Sequence, residues 1–286
     1  MGQVIVSGLA AGSTFALLAL ALVLVFKATN VPNFAQAEMG LLPAFITWQL
    51  MTTFHVGYAL GVLAGIASGV VIAVVIERSC IRPILAHSES ASVMMTIGLF
   101  FVLNSISGLV WDSAPRIIAA PFGSLYRVAG TTITEEQVVA IGVGVVVVVV
   151  MSWFFRTHLG SQMRALAEDR VTPRLVGVNP NRVFLVAWAI AGALSAIALL
   201  LATQSTVLND QSGVAIILDG FVAATLGGFN SLLGAFVGGL VLGVLTNLAG
   251  TYVSTSGASA VALLIVFLVL MARPRGLFGQ ARAREV

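Results

Sequence analysis

The feature that most constrains this chain is a succession of long apolar stretches separated by short polar segments. Most stretches are close to the roughly 20 residues that an α-helix needs to cross the ~30 Å hydrocarbon core of a bilayer. Hydrophobic residues make up 59% of the chain and charged residues 9%, whereas soluble proteins average about 45–50% and 25%. Backbone polar groups in lipid must be satisfied inside the protein, and helices do this within one segment. We therefore predict an all-α, polytopic transmembrane helical bundle.

Nine stretches define the predicted spans. They are Val4–Phe26, Phe34–Thr53, Tyr58–Ile76, Ala91–Trp111, Gln137–Phe155, Val183–Thr203, Val214–Leu226, Leu232–Leu248 and Ala258–Met271. The first has no basic n-region and is too long for a signal-peptide core, so we interpret it as a retained span. The seventh and eighth are irregular around the Gly-rich turn 226–231, so we expect eight or nine spans with interrupted helices in a single domain, residues 1–286. The Gly234-to-Gly238 spacing permits close helix approach, either within the chain or in a dimer.

Arginines indicate how the chain is oriented, because cytoplasmic loops of membrane proteins accumulate Arg and Lys. They cluster after the third span, in the loop 156–182 and in the tail: Arg78, Arg82, Arg156, Arg164, Arg170, Arg174, Arg182, Arg273, Arg275, Arg282 and Arg284. We expect all three segments in the cytoplasm of a bacterial inner-membrane protein. The N-terminus and the loop 112–136 are then expected on the outer side.

No catalytic constellation is visible in the sequence. A phosphate-binding loop places lysine after glycine, and Lys27, the only lysine, does not follow a glycine. His55, His87 and His158 are scattered, so the paired histidines of zinc proteases are missing. A single Cys80 excludes an intrachain disulfide and a multi-cysteine metal site. We expect no enzymatic activity, cofactor, metal or nucleic-acid partner, and we expect membrane lipid as a partner.

Two carboxylates, Glu38 and Asp219, lie within or beside predicted spans. A charge at mid-bilayer costs about 2.5–3.5 kcal/mol or more, so each needs an explanation. Glu38 follows Gln36 in a segment where Pro32 disfavours a continuous helix. Either Glu38 lines a substrate path or it caps a helix start, where a negative charge is favoured. Asp219, at the interrupted seventh span, either lines the path or has a structural role at the broken helix. The candidate path residues are Gln36, Glu38 and Asp219.

The segment between the fifth and sixth predicted spans is amphipathic at helical spacing. Met163, Leu166 and Ala167 alternate with the charged residues Arg164, Glu168 and Arg170. Pro173 and Gly177 follow and end the pattern. We predict a short cytoplasmic helix, which is either a solvated connector or a docking element.

Four blocks of the chain resemble the permeases of branched-chain amino acid ATP-binding cassette (ABC) importers. They are Asn33–Gly40, Leu159–Arg182, Asp219–Ala235 and Arg273–Gly279, and they occur in the family's order. The resemblance implies an importer permease fold with two ATPase subunits, a homologous second permease and an extracytoplasmic substrate-binding protein as partners. It leaves the substrate open among branched-chain amino acids, other amino acids, urea and amides.

The same resemblance implies that the loop 156–182 couples the permease to the ATPase subunits. The residues expected in this role are Arg164, Ala167, Glu168, Asp169, Arg170 and Gly177.

An autonomous secondary transporter or channel is the alternative function. Such a protein needs its own coupling-ion carboxylates or filter, and Glu38 and Asp219 are the candidates within this chain. Leu41–Phe45 and Leu232–Phe236 are similar in sequence, so an internal repeat of the kind found in transporters stays open.

Overall fold

The computed structural model describes residues 1–85, 88–128, 130–168, 173, 177–253, 258–273 and 276–278. The helices are α1 (Gly2–Thr29), α2 (Glu38–Thr52), α3 (Tyr58–Ile76), α4 (Arg82–Leu85), α5 (Glu89–Trp111), α6 (Glu135–Phe154), α7 (His158–Glu168), α8 (Pro180–Ser205), α9 (Ser212–Gly227), α10 (Leu232–Tyr252) and α11 (Ala258–Ala272). A π-helical turn, Glu77–Ile81, joins α3 to α4. Strands β1 (Leu125–Val128) and β2 (Thr131–Thr134) form an antiparallel hairpin.

Each of the nine predicted spans coincides with one of these helices, and the prediction of a helical polytopic protein is confirmed. Among the described residues, six helices are long and apolar enough to cross a membrane: α1, α3 continued through Leu85, α5, α6, α8 and α10. Helices α2, α9 and α11 have 15, 16 and 15 residues. At 1.5 Å per residue they extend only about 23 Å, so they are shorter than the hydrocarbon core.

The chain divides into two compact units. The first unit comprises Met1–Val23, Gly123–Val148 and Leu218–Val286, and the second comprises Leu24–Phe122 and Val149–Ile217.

In the first unit, glycines allow helix backbones to touch. A Cβ at Gly239 of α10 would overlap the backbone of Ala16 in α1, and one at Gly243 would overlap Gly12. Gly238 packs against α9 in the same way, at Ala223. The small residues of α10 therefore serve crossings within the chain, as expected where dispersion rather than hydrophobicity drives helix association in lipid.

In the second unit, α2, α3 and α8 pack against one another. Gly40 of α2 lies on the carbonyl of Ser195 in α8, and Gly69 of α3 faces Gly192 of α8. Helix α8 is mostly buried and includes the fully buried Trp188. These close contacts make α3 and α8 a tightly packed pair.

Two local features differ from the sequence prediction. The second span begins at Glu38 rather than Phe34, because residues 34–37 form turns in which the Asn33 side chain accepts a hydrogen bond from the Ala35 N–H (3.1 Å). The loop 112–136 contains the β1–β2 hairpin, which was not predicted. Strand β2 consists entirely of β-branched residues. The two strands are joined through Gly130, whose φ is +79°, a conformation that glycine adopts readily.

Candidate translocation path and coupling segment

The approach to α2 is held by a buried amide pair. Asn33 donates from Nδ2 to Gln36 Oε1 (2.8 Å), and both residues are fully buried. Gln36 donates from Nε2 to Ser195 Oγ (2.7 Å) and to the Ala191 carbonyl (3.2 Å). Both ends of the Gln36 side chain are therefore bonded to protein groups, and the residue anchors the start of α2 to the middle of α8.

Glu38, the first residue of α2, is also fully buried. Its Oε1 accepts a long hydrogen bond from Asn104 Nδ2 of α5 (3.5 Å), while the same amide donates to the Asp210 carbonyl at 2.8 Å. No donor among the described residues bonds to Glu38 Oε2. A buried polar oxygen without a partner is costly, so this carboxylate is only partly satisfied by the protein.

The Glu38 carboxylate lies against the first turn of α9. A Cβ at Gly213, the second residue of α9, would overlap Glu38 Oε1 and stand 3.2 Å from Oε2. The start of a helix carries a positive partial charge that favours a nearby carboxylate. Glu38 thus lies where two helices begin, α2 and α9, and keeps one oxygen able to accept a further hydrogen bond.

The connection between α8 and α9 is fixed by the segment that follows α5. Arg116 and Leu208 exchange backbone hydrogen bonds of 2.9 and 2.8 Å. Ser113 Oγ donates to Asp210 Oδ2 (2.9 Å), and the Asn104 amide holds the Asp210 carbonyl. These bonds position the start of α9 beside Glu38.

Asp219, the third candidate path residue, is half-buried in α9. It belongs to the first unit, whereas Gln36 and Glu38 belong to the second. The structure therefore places two of the three candidates on one segment.

Helix α7 is amphipathic, as its sequence predicts. Gly160, Met163 and Leu166 are buried on one face. Arg164 and Glu168, one turn apart, are exposed on the other. The helix lies between the transmembrane helices α6 and α8 along the chain.

Charged groups tie α7 to its surroundings. Arg164 donates to the Phe155 carbonyl at the end of α6 and to Ser161 Oγ (3.2 Å). Lys27, near the end of α1, is attracted electrostatically by Glu168 and repelled by Arg164. The start of α7 is thus fixed, and the Glu168 end projects its carboxylate to the exterior.

The other residues of the predicted coupling loop have different outcomes. Ala167 is half-buried in α7. Gly177 has a φ of +87°, with no atom within 4 Å of the position a Cβ would take. It therefore forms the turn that a side chain would strain. Asp169 and Arg170 lie outside the described residues.

Comparison with known proteins decides the family. A sequence model of the family described as the permease component of branched-chain amino acid transport systems matches residues 4–272. The chain belongs to this family. The permease is accordingly a multi-pass inner-membrane subunit of an ABC importer.

Curated relatives match the permease over nearly their whole length. The high-affinity branched-chain amino acid transport system permease protein LivH of Escherichia coli (strain K12) is 29% identical over 99% of this chain and 97% of its own. The corresponding protein BraD of Pseudomonas aeruginosa is 30% identical with the same coverage. A probable LivH of Methanocaldococcus jannaschii is 24% identical over 92% of this chain and 88% of its own.

A solved structure shares the fold of the permease. A chain in the structure of PsaBC from Streptococcus pneumoniae in complex with Fab superposes with a TM-score of 0.51. The match covers 96% of this chain and 92% of that chain at 14% sequence identity.

Three features of the permease were not anticipated as parts of a site. Gly213 was not singled out, although small residues in apolar helices allow close approach of neighbouring groups. Asn104 was not among the candidate site residues, since a polar side chain within a predicted span indicates only an interhelical hydrogen bond. The pair Glu77 and Arg82 was missed because residues five apart do not face each other in an α-helix. Pro83, which lacks an N–H, was the available sign of an irregular turn there.

Proposed function

We propose that this permease carries branched-chain or chemically related amino acids, driven by two ATPase subunits. A homologous second permease and an extracytoplasmic binding protein complete the proposed importer. The family description and the names of LivH and BraD support the substrate class. The chain has no phosphate-binding loop, so the energy of ATP hydrolysis has to come from other subunits.

The observation that carries the proposal is the two-sided character of α7. Its apolar face is buried against the protein while Arg164 and Glu168 face outward. A connector needs only solubility, whereas a docking helix needs a fixed charged face that another protein can read. Residues 156–182, the coupling segment, would transmit closure of the ATPases to the membrane helices.

Glu38 is the proposed lining group of the translocation path. Its Oε2 can accept a hydrogen bond from a substrate during transport, because no donor in the part of the chain that the structure describes bonds to that oxygen. Gln36 supports it by fixing the start of α2 on α8. Asp219 is proposed as a path residue on the ground of its sequence alone, as a carboxylate within an apolar helix.

The proposed orientation places the coupling segment in the cytoplasm, as the arginine distribution favours. In a Cys80→Ser background, a cysteine at Ser124 is expected to react with a membrane-impermeant thiol reagent added outside intact cells. A cysteine at Gln162 is expected to react only after permeabilisation. The reverse pattern would contradict the orientation.

Reversal of the charges on α7 tests the coupling role. Glu168→Arg alone leaves the bonds of Arg164 intact and loses only the attraction of Glu168 to Lys27. The permease should therefore still fold, since charge pairs at exposed side chains contribute about 0.2–1 kcal/mol. It should nevertheless reduce copurification of the ATPase subunits, and the double variant Arg164→Glu/Glu168→Arg should abolish it. Substrate-stimulated ATP hydrolysis should fall in parallel.

Arg127→Glu, an equivalent reversal in the exposed β1 strand, is the matched control and should leave ATPase copurification unchanged. Gly177→Val should weaken copurification as well, because valine strains a backbone with φ of +87°. Full ATPase binding and stimulation in the α7 variants would refute the docking role. Ion-driven uptake by the purified permease alone would favour an autonomous transporter.

A further inference from the structure

The junction between α3 and α4 has an unusual backbone. Residues Glu77–Ile81 form a π-helical turn, which the Arg82 N–H closes by donating to the Glu77 carbonyl. Pro83 follows, and because proline has no N–H and its ring crowds the carbonyl four residues earlier, a regular α-turn is disfavoured there. Single π-turns inside helices are rare and are frequently found at functional sites.

The π-turn brings together two side chains that an α-helix would separate. Glu77 and Arg82 are five residues apart, and α-helical neighbours are three or four apart. Here Arg82 Nε donates to Glu77 Oε1 (3.0 Å) and Nη2 donates to Oε2 (2.7 Å). The Glu77 side chain is 2% exposed and that of Arg82 33%. The result is a bidentate, largely buried ion pair of fixed geometry.

Arg82 makes one more contact, to an element far along the chain. Its Nη2 also donates to the Asn181 carbonyl (3.3 Å). Asn181 is in the first turn of α8, which Asn179 caps by accepting from the N–H groups of Asn181 (3.1 Å) and Arg182 (3.4 Å). The contact therefore lies where the coupling segment ends and α8 begins.

We propose that Arg82 is a positioning residue for energy coupling, which tethers the end of the coupling segment to α3. The proposal rests on the proposed docking role of residues 156–182. With the tether in place, a displacement of the segment moves α8 and α3 as one body, since these helices already touch at Gly69 and Gly192. Without it, the first turn of α8 can shift while α3 stays in place.

The same helix contacts the candidate path. Gln36, at the start of α2, is bonded to Ser195 and Ala191 in the middle of α8. Movement of α8 therefore acts on the segment that carries Glu38. The series of contacts runs from the coupling segment through Asn181 and α8 to Gln36, and Arg82 makes the first contact in it.

The test uses the complete importer reconstituted in proteoliposomes, with leucine as the probe. The variant Glu77→Gln/Arg82→Met removes the donor to Asn181 without leaving an unpaired charge. Its matched control, Glu77→Gln, retains Arg82. Both should keep ATPase copurification. Leucine imported per ATP hydrolysed should fall about tenfold in the double variant, the effect of losing roughly one hydrogen bond from a charged group, and stay near the parent value in the control.

The charge swap Glu77→Arg/Arg82→Glu separates tethering from stability, and it decides the question if the first double variant fails to assemble. The swap restores opposite charges, but a glutamate at 82 cannot donate to the Asn181 carbonyl. Thermal stability should recover while coupling stays low. Parent-like coupling in either double variant would overturn the proposal. Failure of the docking role itself would appear differently, as ATPase copurification that is insensitive to charge reversal on α7.

Discussion

Glu38 and Glu77 are two buried glutamates in the second unit, each at an irregularity of the helical backbone, and they are satisfied very differently. Glu77 receives two short hydrogen bonds from Arg82, one on each oxygen. Glu38 receives one long bond from Asn104 on Oε1, and no described residue bonds to Oε2. Both oxygens of Glu77 are hydrogen-bonded, whereas only one oxygen of Glu38 has a partner among the described residues.

The difference bears on what each glutamate does. A buried ion pair with good geometry offsets its own desolvation, so Glu77 needs no further partner and can serve as a rigid link. A buried carboxylate with a free oxygen is costly unless something else binds it. Such an oxygen is tolerated where a substrate or ion binds it during function. In membrane proteins, buried carboxylates of this kind mark substrate or ion paths.

The largest expected effect comes from removing the partner of each glutamate. Arg82→Ala leaves Glu77 as an uncompensated buried charge, which should lower the free energy of unfolding by about 3–5 kcal/mol. Asn104→Ala removes the long hydrogen bond to Glu38 and the 2.8 Å bond to the Asp210 carbonyl, and it should cost about 2 kcal/mol. Unfolding of the purified permease in mixed micelles, titrated with SDS, measures both values. Equal losses would remove the contrast between the two glutamates.

Much of the fold followed from apolar stretch length alone, because helices in lipid must satisfy their own backbone. The predicted ends of α3 and α5 agree with the structure to within two residues. The buried face of α7 could be predicted as well, since Met163 and Leu166 recur at helical spacing. Glu38 was identifiable because a carboxylate is rare in so apolar a sequence.

The partners of Glu38 and Glu77 were beyond such reasoning. Gly213 approaches Glu38 from 175 positions further along the chain, and no local pattern encodes that proximity. The Glu77–Arg82 pair depends on a π-turn, and helical periodicity assumes that the turn is regular. The start of α2 was placed too early because Asn33 competes for backbone N–H groups, a local effect that hydropathy does not register.

An intermediate effect is expected at the contact between Glu38 and α9. Gly213→Ala places a Cβ where the carboxylate lies, and such overpacking should cost about 1–3 kcal/mol. The double variant Glu38→Ala/Gly213→Ala should recover most of this loss, because the small side chain leaves room. Gly142→Ala is the matched control, since no atom lies within 4 Å of its Cβ position, and it should be neutral or stabilising. Additive losses in the double variant would show that the two positions do not touch.

The smallest effect on stability, and the sharpest contrast, should come from changing each glutamate to glutamine. Glu38→Gln keeps the shape and removes a poorly compensated charge, so the free energy of unfolding should change by less than about 1 kcal/mol or rise. Uptake of leucine by the complete importer should nevertheless fall about tenfold, because the free oxygen loses its charge and with it the strength of the bond it offers to a substrate donor.

Glu77→Gln should do the opposite. It should lose about 1–2 kcal/mol of stability with the charge-assisted pair, while uptake per ATP is retained because Arg82 still reaches Asn181. Parallel uptake and SDS-unfolding measurements on the two variants give four values. If Glu38→Gln transports normally, the incomplete hydrogen bonding of Glu38 reflects only its place at the helix starts, and the path has to be assigned to other residues.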